Sequence, residues 1–240
     1  MAVILSVKRL TVNLDAHRIF TDLSFDLNPG ETLAIIGPNG TGKTVLLRTL
    51  LGIVPHQGTI QWAEGVRIGY VPQRVAADRQ LPLSARDLLQ AKTRFLKLPV
   101  GEIDQVVTAA SLDSDLLDVN MGVLSGGQFQ KVLIAIALLG NPNVILFDEP
   151  TASLDELAEE RVYELLHNLK QQRRITILLV SHDLSIVYQK ATLVLCLGGT
   201  GTCFGPPREV LTPEALEKLY GAPPKYYQHF DESHRKRVES

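Results

Sequence analysis

Apolar residues in this chain follow three rhythms, and each predicts a different kind of element. Residues 2 to 12 (Ala-Val-Ile-Leu-Ser-Val-Lys-Arg-Leu-Thr-Val) and 19 to 27 (Ile-Phe-Thr-Asp-Leu-Ser-Phe-Asp-Leu) alternate in part between apolar and polar positions. That is the period of strands with one wet face, so both predict half-buried antiparallel strands. Leu33-Ala34-Ile35-Ile36, Val144-Ile145-Leu146-Phe147 and Ile175-Thr176-Ile177-Leu178-Leu179-Val180 are nearly unbroken apolar runs, as parallel strands buried on both faces require. Asn28-Pro29-Gly30 turns the chain into the first of these, and a further strand pair is expected around Gly58 to Trp62 and Val66 to Val71. After Pro72-Gln73-Arg74 the pattern changes to helical segments broken by Pro82, Pro99 and Gly101. Residues 84 to 120 predict a small all-helical subdomain, opened by the capping signal Ser84-Ala85-Arg86-Asp87.

The residues just past each apolar run carry the chemistry. Leu33 to Ile36 leads into Gly37-Pro38-Asn39-Gly40-Thr41-Gly42-Lys43-Thr44 and then the helical Val45 to Leu51. A strand, a glycine-rich turn and a helix in GxxxxGK[ST] spacing let backbone N–H groups curl around phosphate oxygens, with the helix N-terminus adding donors and a positive dipole end. Lys43 is placed to reach the β- and γ-phosphates and the Thr44 hydroxyl to ligate magnesium, so the stretch is expected to hold Mg-ATP. Val144 to Phe147 ends in Asp148-Glu149-Pro150. Two adjacent carboxylates at the end of a buried strand are costly unless used. Asp148 is read as a magnesium ligand, through water or directly, and Glu149 as the base for an attacking water. The third run ends in Ser181-His182-Asp183. In open α/β sheets the carboxyl edge of the strands is where ligands sit, so His182 is expected at the γ-phosphate or its water. Leu124-Ser125-Gly126-Gly127-Gln128 precedes the apolar helix Phe129 to Leu139, which makes a second candidate anion site or a plain N-cap.

Composition narrows the classes. The 240 residues are 45% apolar and 21% charged, which suits one globular domain able to bury a sizeable core. A formal charge of −2 gives no electrostatic footprint for nucleic acid, and no nucleic-acid partner is expected. The longest helix-compatible apolar run, Val132 to Leu139, is too short to span a bilayer, and Met1 to Ser6 meets Lys8 and Arg9 without a signal-peptide core. A cytoplasmic chain is the expectation. Cys196 and Cys203 flank Gly198-Gly199-Thr200-Gly201 and are read as small strand residues rather than as a disulfide or metal pair. His229, Asp231, Glu232 and His234 lie beside Arg235, Lys236 and Arg237 and are read as a solvated polar tail rather than a metal site.

These motifs, in this order and over nearly the whole length, resemble the ATP-binding subunit of ABC transporters. The resemblance rests on the Gly37 to Thr44 loop, Gln73, the signature Leu124 to Gln128, the Val144 to Glu149 strand, Ser153-Leu154-Asp155 and the histidine His182. It implies an α/β fold: a P-loop NTPase (RecA-like) core with an antiparallel β subdomain over about 1–72 and 141–220, a small α-helical subdomain over about 73–140, and a tail over 222–240. It also implies a homodimer in the closed state that binds two ATP, with Ser125, Gly126, Gly127 and Gln128 of one chain closing on the phosphate held by Lys43 of the other. Gln73 would sense magnesium and the attacking water, and Asp155 would cross the dimer interface, although Ser153 to Glu156 also fits a helix capping box. The remaining partners implied are an integral membrane permease, which would hold the subunit at the cytoplasmic face of the membrane, and indirectly an extracytoplasmic solute-binding protein.

Two positions depart from the family pattern. Leu14 stands where an aromatic ring commonly stacks on adenine, with His17 the nearest ring, and Ile136 stands where arginine is common. The stretches Ile68 to Arg74, Leu81 to Ser84, Phe204 to Leu211 and Leu219 to Gly221 are similar to the zinc, manganese and chelated-iron uptake branch, which favours zinc or manganese import. The rival class, a soluble ATPase of the same family acting on DNA or ribosomes, would need a long coiled coil or a second cassette, and neither pattern is present. A P-loop kinase or GTPase would not explain the signature and His182 together.

Overall fold

A computed structural model of the chain describes residues 3–14, 17–73, 82–99, 101–151, 154–198 and 202–221. Strands β1 (Leu5–Leu14) and β2 (His17–Leu27) form the expected antiparallel pair, with Leu5 opposite Leu27 and Leu14 opposite His17. Strand β3 (Thr32–Ile36) is buried at every position and leads through the glycine-rich loop into α1 (Lys43–Leu50). Strands β4 (Gln57–Trp62) and β5 (Ile68–Val71) follow, then helices α2 (Ala85–Phe95), α3 (Glu102–Ala109) and α4 (Gly126–Leu138). The rest of the described chain runs β6 (Val144–Asp148), α5 (Glu156–Arg173), β7 (Thr176–Val180), α6 (Leu184–Lys190), β8 (Leu193–Cys196), β9 (Cys203–Gly205), α7 (Pro207–Val210) and α8 (Pro213–Tyr220).

Two sheets organise these elements. The larger has the order β5-β6-β7-β3-β8-β9, parallel except for β9, and the smaller has the order β2-β1-β4 and is antiparallel. The runs with no polar alternation form β3, β6 and β7, neighbours in the middle of the large sheet, where both faces are covered. On one face Leu33, Ile35, Leu146 and Leu178 pack with α1 and with Leu5, Leu10 and Phe25 of the smaller sheet. On the other, Ile145, Phe147, Ile177 and Leu179 meet α4 and α5. Helix α1 has only eight residues, below the roughly 12–15 that an isolated helix needs in water. Its fully buried Leu46 and Leu47 each contribute about 1.5–3 kcal/mol, so packing holds it helical and fixes where its N-terminus points.

The structure corrects two expectations. The segments at 58–62 and 66–71 do not pair with each other. Strand β4 lies antiparallel to β1, with Leu5 opposite Trp62, whereas β5 lies parallel to β6, with Tyr70 opposite Leu146. Each supplies backbone partners to a buried neighbour, β1 in one sheet and β6 in the other, which an isolated hairpin would leave without them. Cys196 and Cys203 form a disulfide. The antiparallel β8–β9 register sets them directly opposite, with Cα atoms 4.9 Å apart, inside the range a disulfide spans.

Helix starts follow local chemistry. Ser84 and Asp87 make the expected capping box on α2, and Ser125 with Gln128 makes another on α4. At α5 the cap is Asp155, accepting from the Ala158 N–H at 2.9 Å, and not the expected box that starts at Ser153, which lies outside the described residues. So does the tail with His229, Asp231, Glu232 and His234. Among the described residues no helix is long and apolar enough to cross a membrane.

Candidate active site

The three central strands end side by side, and the polar residues beyond them converge. The glycine-rich loop cannot be built from other residues. Gly37 has φ +147°, and a Cβ there would run into the carbonyl of Leu197 just past β8; at Gly42, φ +93°, it would run into Ile19 of β2. Lys43, 5% exposed, donates from Nζ to the carbonyls of Gly37 at 2.9 Å and Pro38 at 3.0 Å and lies 3.9 Å from Glu149 Oε1. Burial pulls its pKa below the usual lysine value, while Glu149 and Asp148 pull it back. The ammonium therefore has carbonyls and carboxylates about it, an arrangement that phosphate oxygens can replace.

Thr44 Oγ1 donates to Asp148 Oδ1 at 2.9 Å, and the hydroxyl of Tyr70 on β5 donates to Asp148 Oδ2 at 3.2 Å. Asp148 is almost fully buried, which pushes its pKa up, and these two hydrogen bonds oppose that shift. Because the Thr44 proton goes to Asp148, the lone pairs of Oγ1 stay free for a cation. A hydroxyl beside a carboxylate is an oxygen donor set that suits a small hard ion such as Mg2+.

Glu149 sits at the centre of the remaining groups. His182 Nε2 is 2.5 Å from Oε1, and Gln73 Nε2 donates to Oε2. An ionised carboxylate only accepts, so the histidine contributes its Nε2–H to this pair. The backbone of Glu149 has φ +48°, a left-handed conformation that costs a non-glycine residue of order 1–3 kcal/mol and is found where a side chain must be aimed. A second layer fixes the two loops. Thr151 donates to Glu159 at 2.6 Å and lies 3.3 Å from the hydroxyl of Tyr163, which is 3.5 Å from Ser181, and Asp183 caps α6 through the Ser185 N–H.

The signature residues lie apart from this cluster. Ser125 accepts from the Gln128 N–H and Gln128 Oε1 accepts from the Ser125 N–H, so the motif's first turn is satisfied within its own helix. Ser125, Gly126, Gly127, Gln128 and Asp155 line a cleft of about 440 Å3 with Lys131 and Arg161 on its walls. Among the described residues, no hydrogen bond or ion pair joins this cleft to the Gly37–Thr44 loop. Leu14 is half-buried against the core beneath the antiparallel sheet, and His17 opposite it is exposed. Ile136 packs into the helical core, and its carbonyl accepts from Lys92 of α2 at 2.7 Å, which ties α4 to α2 at the position where arginine is common.

Sequence reasoning misses Tyr70, Tyr163 and Thr151. Tyr70 carries a faint signal, as a hydroxyl-bearing residue three positions before Gln73 on a strand next to the Asp148 strand. Nothing in the pattern marks the other two.

Comparison with known proteins agrees with the geometry. A family model described as ABC transporter matches residues 20–152. Relatives named zinc import ATP-binding protein ZnuC are 36% identical in Roseobacter denitrificans, over 91% of this chain and 84% of the relative, and 40% identical in Cereibacter sphaeroides, over 91% and 88%. Among solved structures, a chain of a metal-chelate type ABC transporter in an inward-facing conformation superposes with a TM-score of 0.84 at 33% identity, covering 92% of this chain and 90% of that one. The chain belongs to the ABC transporter family, as one of its ATP-binding and ATP-hydrolysing subunits.

Proposed function

We propose that the chain is the ATPase of a zinc or manganese importer, acting as a homodimer beneath a membrane permease that receives its cargo from an extracytoplasmic solute-binding protein. The observation that carries the catalytic part is Glu149, held by Gln73 and His182 and 3.9 Å from the Lys43 ammonium. The cargo rests on the relatives named for zinc import and on the metal-chelate type of the structural neighbour.

In this reading, the N–H groups of residues 37 to 44 and the Lys43 ammonium hold the ATP phosphates. Thr44, Asp148 and Gln73 would hold Mg2+, which when bound would neutralise phosphate charge. Glu149 orients the attacking water and takes its proton, a step worth about 10²–10⁴-fold. His182 fixes the carboxylate plane through its Nε2–H. Ser125, Gly126, Gly127 and Gln128 of a second copy complete the phosphate shell, with Asp155 crossing between copies. ATP shifts the pair toward closure only by its differential affinity for the closed form.

The test is the metal content of cells lacking the chain, grown with zinc, manganese and iron scarce, and complemented with wild type or Lys43→Ala. A deficit confined to zinc or manganese and rescued by wild type alone is the expected result. A selective iron deficit would move the chain to a chelated-iron importer, and unchanged metals would remove the metal assignment while leaving the ATPase in place.

A further inference from the structure

We infer that Tyr70 is a positioning residue for the divalent cation of ATP hydrolysis, because its hydroxyl fixes the plane of the Asp148 carboxylate that Thr44 holds from the other side. This rests on the reading of Thr44 and Asp148 as the cation-holding pair.

The terminal torsion of an aspartate is soft and roughly two-fold, so a carboxylate at a strand end does not choose its own plane. In this site both oxygens are engaged. Oδ1 accepts from Thr44 Oγ1 at 2.9 Å and Oδ2 from Tyr70 Oη at 3.2 Å. The two donors stand on different elements, α1 and β5, and the acceptor on β6, so the carboxylate is clamped across three elements. The phenol is well suited to this. Its hydroxyl sits at the end of a rigid ring whose backbone is locked opposite Leu146, two residues before Asp148 on the same face of β6. Partners that orient a cation's carboxylate typically change metal affinity 10–100-fold when removed.

The base and the phosphate loop do not draw on this hydroxyl. Among the described residues, Lys43 bonds the Gly37 and Pro38 carbonyls, and Glu149 is held by Gln73 and His182, with Tyr70 in neither set. Removing the hydroxyl therefore perturbs the cation pair and leaves the other two groups in place.

The experiment measures Mn2+ binding by electron paramagnetic resonance with a non-hydrolysable ATP analogue, for wild type, Tyr70→Phe and Tyr70→Leu, together with affinity for the analogue in the presence of a chelator. The expected result is a roughly tenfold weaker Mn2+ site in both variants, which lack the hydroxyl, and unchanged metal-free affinity in both. High metal restores turnover in Tyr70→Phe. Unchanged Mn2+ binding in both variants overturns the inference, as does an equal loss of metal-free and metal-bound affinity, which marks a packing role. Tyr70→Leu, a smaller side chain that also lacks the hydroxyl, keeps the test alive should Tyr70→Phe not fold. If the wild type binds the analogue without any metal dependence, the cation pair itself falls and Tyr70 with it, an outcome distinct from a Tyr70 effect that is simply absent.

Discussion

The two anion-ready regions of this molecule are built to opposite standards. At the Gly37–Thr44 edge the ammonium, the hydroxyl and the carboxylates already lie against one another, and Lys43 and Asp148 are nearly sealed from water. At the Ser125–Gln128 cleft the helix start is satisfied by its own capping box, Ser125 and Gly126 are exposed, and the carboxylate of Asp155 in its lining caps α5. The first region is assembled by the fold. The second is a presented surface, which in the proposed reading receives its phosphate from a second copy. The contrast teaches why the proposed reading, in which one chain holds the chemistry but only part of the phosphate shell, needs a second copy.

The sharpest way to break the comparison is Glu149→Gln. Single-turnover and steady-state assays are expected to show turnover down by about 10²-fold or more with ATP still bound. Near-normal turnover would take the base away from the prebuilt edge. The disulfide tests how the edge is braced, since Leu197, beside Cys196, abuts Gly37. Replacing both cysteines by serine, or reducing the wild type, is expected to lower stability in urea by about 2.5 kcal/mol, the chain-entropy value for so short a loop. A midpoint that does not move would show the hairpin closing without it.

The base end of the nucleotide is the unfinished part of the prebuilt region, because Leu14 offers no ring. Leu14→Tyr is expected to tighten ATP by roughly tenfold, within the 1–3 kcal/mol of a base stack, and to widen the ATP over GTP preference, read by calorimetry. A strong ATP preference already present in the wild type would mean that another group, His17 foremost, does this work. The smallest effect is expected at the presented region. Ser125→Ala removes an N-cap worth about 1 kcal/mol and is expected to leave monomer affinity for ATP unchanged while weakening ATP-driven dimerisation, followed by light scattering. If monomer affinity fell instead, the two regions would share one phosphate within a chain.

Much of the fold and of the prebuilt edge is legible in the sequence. Unbroken apolar runs announce strands with both faces covered, and the polar residues just past each run fall on one edge because parallel strands in one sheet point the same way. Lys43, Asp148, Glu149 and His182 follow from that rule. The pairing of residues 57–62 and 68–71 does not, since alternation records which face is wet and says nothing about which strand lies alongside. Cys196 and Cys203 escape it as well, because a disulfide depends on register across a hairpin, and composition alone suggests a reducing compartment. Ser153 to Glu156 fits a capping box on paper, whereas the cap of α5 is Asp155.

The sequence by itself determined the class of chemistry, because phosphate binding by backbone N–H groups demands glycines, a lysine and a hydroxyl at set spacings within one short stretch. Only the tertiary structure decided that Tyr70 clamps Asp148, that Gln73 and His182 meet on Glu149, and that the signature stands away from its own chain's lysine. Those contacts on the two carboxylates join residues 33 to 78 positions apart, and their distances are set by how sheets and helices stack, a property of the packed core that no local spacing encodes.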